Sequence, residues 1–433
     1  MSTFSDTKAA TRPAAAKRSV LGAMEIDTRM IGMIAALLVI WVGFDVFSGG
    51  AFLSPRNLWN LSVQTASIAV MSTGMVLVIV TRNIDLSVGS VLGVTGMIMA
   101  VFQASYLTPA LGFNHPLVWV GTLGVGIVVG LLIGSLQGFV IAYLGVPAFI
   151  VTLGGLLVWR GAAWWVAEGK TIPLTDDNFK LIGGGADGAI GATWSWIIAA
   201  VAVALVVFAA INARRQRKRF QFPLKPMWAE VSLVGLATLA IVGATWVVNA
   251  YTLPPALARR YAEANSIPVP DGGLSISFGY AVPVLVAIGV GIVMTFIAKR
   301  TRFGRYVFAL GGNPEAAALA GIDTKKVTVY VFALMGMLTA IAAAISTARL
   351  TSATNAQGTL DELYTIAAAV IGGTSLAGGA GTVAGAMLGA LVMQSLQTGM
   401  VLLGLDTPLQ NIVVGVVLVV AVFVDTLYRR RAG

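Results

Sequence analysis

The sequence predicts an all-α, polytopic membrane protein of about twelve transmembrane helices, with both termini on the cytoplasmic side. Three observations predict it. The 433-residue chain is 57% hydrophobic and only 11% charged, where a soluble domain carries roughly 25% charged residues. Apolar runs of about 20 residues, the length that spans a hydrocarbon core, recur from end to end. The 50 glycines suit helices whose backbones approach closely in lipid. The same composition excludes several functions. With no cysteine there is no thiol nucleophile, disulfide framework or cysteine-ligated metal. The single histidine, His115, falls between spans and reads as a solvated loop residue. No phosphate-binding G-x-x-x-x-G-K-[ST] loop, HExxH or GxSxG occurs, so the chain is no enzyme by itself and needs no cofactor. The net charge of +10 comes from basic residues clustered beside apolar spans. That is a topology signal rather than a nucleic-acid-binding face.

Taken in order, residues 1–29 are polar and basic and read as a disordered cytoplasmic tail. They lack the small-residue cleavage site of a signal peptide, so the run 30–47 reads as a retained anchor. The transmembrane domain then fills residues 30–433. Its further spans are placed at about 60–81, 86–105, 117–144, 148–166, 194–212, 228–250, 279–298, 327–348, 363–379, 383–403 and 407–426. Three of these, 86–105, 148–166 and 363–379, are Gly-rich or interrupted and fit half-helices or re-entrant segments as well. With the N-terminus inside, 21 of the 28 Lys and Arg residues lie in the tail, at Arg82, in 213–227, in 299–326 and at the C-terminus. That bias sets the orientation. The longest outer loops, 168–193 and 251–278, are too short to fold alone; they form either a docking rim or plain connections.

Small residues recur every fourth position: Gly126, Gly130, Gly134 and Gly138; Gly381, Gly385 and Gly389; Gly89 and Gly93, with Gly96 nearby. Such ladders cut grooves for close helix packing. Intramembrane acids are sparse. Asp85 follows the second span, Asp361 and Glu362 precede the tenth, and Asp406 precedes the last. None makes the mid-depth carboxylate relay of an ion-coupled transporter, and no selectivity filter is evident. Asp85, with Ser87 and Ser90, serves either the transport path or simply the start of the following helix.

The cytoplasmic loop 299–326 holds a short helix with its own start and stop signals. Asn313 is a natural N-cap, Pro314 suits the first helical position, and Glu315 meets the positive end of the helix dipole. Ala316, Ala317 and Ala318 propagate the helix, and Gly321 stops it. About two turns, roughly 10 Å long, span nothing and are not stable alone. Such a helix either docks into a groove of a partner or merely connects two spans.

Three runs carry a resemblance. Gly74–Ser90 (GMVLVIVTRNIDLSVGS), Gly304–Ile322 (GRYVFALGGNPEAAALAGI) and Val370–Gly385 (VIGGTSLAGGAGTVAG) resemble, in this order, motifs of the ribose/xylose/arabinose permeases of bacterial ABC importers. The extra pair of spans within 194–250, and the basic loop between them, most resemble the xylose branch. The resemblance implies a permease subunit in the bacterial inner membrane that imports a monosaccharide, D-xylose or a related pentose. It also implies a second permease subunit, expected to be identical, a cytoplasmic ATP-binding subunit and a periplasmic sugar-binding protein. Coupling to the ATPase then falls on Gly304, Arg305, Asn313, Pro314, Glu315, Ala316, Ala317, Ala318, Gly321 and Ile322. The translocation path is assigned to Asp85, Ser87, Gly89, Thr374 and Ser375. Arg82 departs from the small residue expected there, which argues against a close-packed turn. The rival expectation is an ion-coupled secondary sugar transporter that needs no ATPase.

Overall fold

The computed structural model describes residues 28–264, 268 and 274–432. The expected N-terminal tail, 1–29, lies outside the described residues but for its last two. Most of what is described is helical: α1 (Thr28–Phe47), α2 (Pro55–Val80), α3 (Val88–Leu111), α4 (Pro116–Tyr143), α5 (Ala148–Ala167), α6 (Asp177–Lys180), α7 (Gly191–Arg219), α8 (Met227–Ala250), α9 (Pro255–Ala264), α10 (Val282–Arg300), α11 (Arg302–Gly312), α12 (Pro314–Leu319), α13 (Thr324–Leu350), α14 (Asp361–Ile371), α15 (Val383–Leu402) and α16 (Thr407–Ala432). One two-stranded ribbon joins Ile172–Pro173 to Ser352–Ala353.

Among the described residues, ten helices are long and apolar enough to cross a membrane. Two of the Gly-rich or interrupted segments are helices long and apolar enough to span: α5, and α3, which runs unbroken through a π-helical turn at Gln103–Leu107. The third is not. In place of the span expected at 363–379, α14 is an 11-residue helix that stops at Ile371. The reason is local. Gly373, Gly378 and Gly379 all take positive φ, between 73° and 89°, and the chain turns on itself where Ser375 N donates to Ala380 O at 2.8 Å.

The glycine ladders place the helices. A Cβ at Gly130 would collide with Gly336 O of α13, and one at Gly336 would collide with Gly130 O. Gly134 and Gly138 continue the same seam against Phe332 and Val329. Because α4 numbers rise as α13 numbers fall, the two helices are antiparallel. Gly126 leaves that seam and faces Met99 of α3. Gly385 and Gly389 seat α15 on Gly372 and Ala368 of the α14 segment, again antiparallel. At the centre stands α2, its hydroxyls returned to its own carbonyls: Thr65 to Leu61, Ser72 to Ile68 and Thr73 to Val70, at 2.7–2.8 Å. Bonded so, these groups are buried without an unmet donor.

Candidate functional site

The segment 301–326, to which coupling was assigned, is built from a chain of caps. Thr301 Oγ1 accepts from Gly304 N at 3.1 Å and opens α11. Gly304 sits in the elbow between α10 and α11, where a Cβ would collide with Ala298 O and Ile297 O. Arg305, exposed, donates weakly back to Arg300 O at 3.4 Å. Asn313 ends α11 and starts α12, its Oδ1 accepting from Ala316 N at 3.0 Å, with Pro314 next in line. At the far end Gly321 takes φ +82°. Its amide donates to Ala318 O at 2.9 Å, and the Ile322 amide donates to Ala317 O at 3.1 Å. That pair of bonds is the Schellman stop, which satisfies carbonyls the helix would otherwise leave bare. Ala317 is buried, while Glu315, Ala316 and Ala318 are exposed. Leu319, which the sequence reading passed over, is 90% exposed. Asp323 then caps α13, accepting from Lys326 N at 3.0 Å and pairing with Lys326 Nζ at 3.1 Å. The Lys326 amide and ammonium hold its carboxyl below the usual range.

Beneath this segment the three sequence motifs meet. Val80 O, at the end of α2, accepts from Gly379 N of the Gly-rich loop at 3.0 Å. Gly311 lies so close to Val80 O that a Cβ there would collide with it. Arg82, at φ +65°, reaches across the junction. Its Nε donates to Gly311 O at 2.9 Å and its second guanidinium nitrogen to Gly312 O at 2.7 Å. The expectation that a large residue at 82 argues against close packing is therefore corrected. Arg82 points out of the turn and clasps the carbonyls just before Asn313, while the small residues needed for close approach are supplied by Gly311, Gly378 and Gly379. An arginine fork fits two successive carbonyls well, but no sequence spacing connects position 82 to position 311.

The residues assigned to the path fall in three places. Asp85 and Ser87 are buried together; Asp85 Oδ1 accepts from Ser87 N at 2.9 Å and from Ser87 Oγ at 2.6 Å. Gln137 Nε2 of α4 donates to Ser87 Oγ at 2.9 Å. Asp85 thus closes the turn that begins α3, the helix-start reading of this residue. Gly89 lies one turn on, its Cα side pressed against Glu362 and Gly358 O. Thr374 and Ser375 are buried in the Gly-rich loop, where the Thr374 hydroxyl has no partner.

Residues 57–422 match the family model described as branched-chain amino acid transport system / permease component. The chain is 36% identical over 411 residues to the xylose transport system permease protein XylH of Escherichia coli K12, covering 95% of both. It is 35% identical over 406 residues to the XylH of Haemophilus influenzae, covering 94% of this chain and 98% of that one. It is 30% identical over 391 residues to the ribose import permease protein RbsC of Escherichia coli K12, covering 90% and 91%. No solved structure matched. With the family model spanning most of its length and these relatives covering nearly all of it, the chain belongs to this family of membrane permease components.

Proposed function

We propose that the chain is the membrane-spanning subunit of an ATP-driven monosaccharide importer of the bacterial inner membrane. It works as one of a pair of such subunits, with a cytoplasmic ATP-binding subunit and a periplasmic sugar-binding protein. D-xylose or a related pentose is the cargo, favoured by the higher identity to the xylose relatives than to the ribose relative. Both termini and the 299–326 loop face the cytoplasm, as the basic residues require. The observation that carries the reading is the exposed face of α12. A two-turn helix capped by its own residues presents Glu315, Ala316, Ala318 and Leu319 outward. Covering a leucine side chain contributes about 1.5–3 kcal/mol, and a slim alanine face admits a close-fitting groove.

The mechanism follows from how α12 is held. ATP binding draws the two ATPase modules together, and each carries the α12 it grips. Through Gly311, Gly312 and the Arg82 clasp that displacement reaches the end of α2 and the Gly-rich loop. Gly89 on one side, and Thr374 and Ser375 on the other, sit close to this junction in sequence and serve as gates, with Asp85 and Ser87 fixing the start of α3 beside Gly89. The bundles rock, and the path opens to the other face.

Affinity purification from mild detergent tests the reading, with wild type beside Glu315→Arg and Leu319→Asp. An ATPase is expected with wild type and is reduced at least about tenfold with either variant, while both variants insert normally in the membrane. An ATPase retained by both moves the contact elsewhere. No ATPase with wild type, together with uptake abolished by an uncoupler, replaces this reading with an ion-coupled transporter.

A further inference from the structure

We infer that a polar cavity at the end of the bundle opposite α12 is a binding site for the monosaccharide itself, entered before the gates. This rests on the reading of the chain as a sugar permease. The cavity, of about 400 Å³, lies between the first half of α2, the end of α13, the start of α14 and the second half of α15. Its size falls in the 300–1,000 Å³ range of small-molecule sites. Five carboxamides line it, Asn57, Asn60, Gln64, Gln394 and Gln397, with Arg349 and Asp361 beside them. Each carboxamide can donate and accept; Asn57 spends its amide on Phe52 O at 2.8 Å.

Most of that capacity is unspent. Gln64 Oε1 accepts from Gln394 Nε2 at 3.1 Å and from Thr398 Oγ1 at 3.4 Å, which orients the Gln64 amide and leaves its NH₂ free. Among the described residues, the side chains of Asn60, Gln397, Arg349 and Asp361 make no hydrogen bond. The ligand class follows by elimination. A metal ion needs more than one carboxylate here, and Asp361 is the lone one. Arg349 and Asp361 act on each other electrostatically and offset each other's charge, so the cavity favours neither an anion nor a cation. A neutral molecule with a hydroxyl on nearly every carbon uses both charges as hydrogen-bond partners and matches the amides. A second cavity, of about 540 Å³, shares Asn60, Gln64 and Arg349 with the first and adds Trp59. It continues toward the 177–187 loop, a route of entry for the ligand.

The absence of native cysteine makes the test direct. Asn60→Cys and Gln397→Cys are placed singly in the chain, in membranes that also contain its ATPase, and a charged thiol reagent is added from the outer face. Leu157→Cys, 69% exposed on α5, serves as the lipid-facing control. Both cavity positions are expected to react and the control not to. D-xylose or D-ribose at 100 mM should slow the reaction at least about threefold, while an equal concentration of sodium phosphate should not. In parallel, Gln64→Leu and Gln397→Leu should slow uptake about fivefold, each losing one hydrogen bond to the sugar, with Gln397→Asn recovering part of it. Reaction at both positions without monosaccharide protection means a water-filled vestibule only and overturns the inference, as does failure to react. Wild-type uptake in the same strain separates the two readings. If it is absent while protection is seen, the proposed transport activity fails and the binding site stands.

Discussion

Helices α2 and α7 are two spans of similar length with opposite fates. In α2, 94% of the most apolar 18-residue stretch is buried; in α7 only 11% is. Yet α7 is the more apolar of the two. What separates them is small polar residues. The α2 sequence carries Ser62, Thr65, Ser67, Ser72 and Thr73, along with Gly74, whereas α7 beyond Ser195 runs through Trp, Ile, Ala, Val, Leu and Phe to Asn212 and its basic end. In lipid, hydropathy places a helix in the membrane, but it supplies no force between helices. Close approach does, and that needs side chains short enough to let backbones touch. The α7–α8 pair therefore sits at the periphery of the bundle, while α2, α13, α14 and α15 pack at its centre.

The largest effect that would break this contrast lies on the α4–α13 seam. Gly130→Val forces two backbones apart and should destabilise the protein by about 3 kcal/mol, read as thermal unfolding in detergent. Gly235→Val in α8, where an added Cβ meets nothing within 4 Å, should stay within about 0.5 kcal/mol. Equal losses at the two sites would dissolve the distinction. A smaller effect sharpens it at the coupling segment. Arg82 is exposed yet tied to two carbonyls, so solvent screening reduces its worth to about 1 kcal/mol. Arg82→Ala should slow sugar uptake about fivefold and leave ATP hydrolysis running, a loss of coupling measured as sugar imported per ATP. Unchanged coupling would reduce Arg82 to surface decoration. The smallest effect belongs to Asp323. Its carboxyl is lowered on folding, so its stabilising contribution is complete above the unfolded value of about 3.9 and fades only as pH falls through the lowered value. Between pH 5 and 8 the melting temperature of wild type relative to Asp323→Asn should not change; a difference growing across that range would contradict the assignment.

Short-range signals were legible in the sequence and long-range ones were not. The α12 caps at Asn313, Pro314 and Gly321 are all local chemistry, and the structure follows them bond by bond. The Gly130–Gly138 ladder announced a packing face, though not that its partner is α13. The broken crossing at 363–379 was visible as glycine content, but its end at Ile371 depends on where the turn closes. The Arg82 clasp and the convergence of Gln64, Gln394 and Gln397 join residues hundreds of positions apart, which no spacing rule reaches. Leu319 looked like ordinary helix filler until its exposure was known.

The two faces of the coupling segment are made of different materials. Toward the helix bundle it meets Val80 and Gly379 through main chain, with glycine wherever a side chain would intrude. On its exposed side it offers the side chains of Glu315, Ala316, Ala318 and Leu319. A main-chain seam tolerates little revision, whereas a side-chain face is rewritten by point substitution. Motors should therefore be exchangeable. Recoding those four outward positions to match a foreign ATPase would fit a new engine to an unaltered transmembrane half, and the glycine seam would transmit its stroke without knowing the difference.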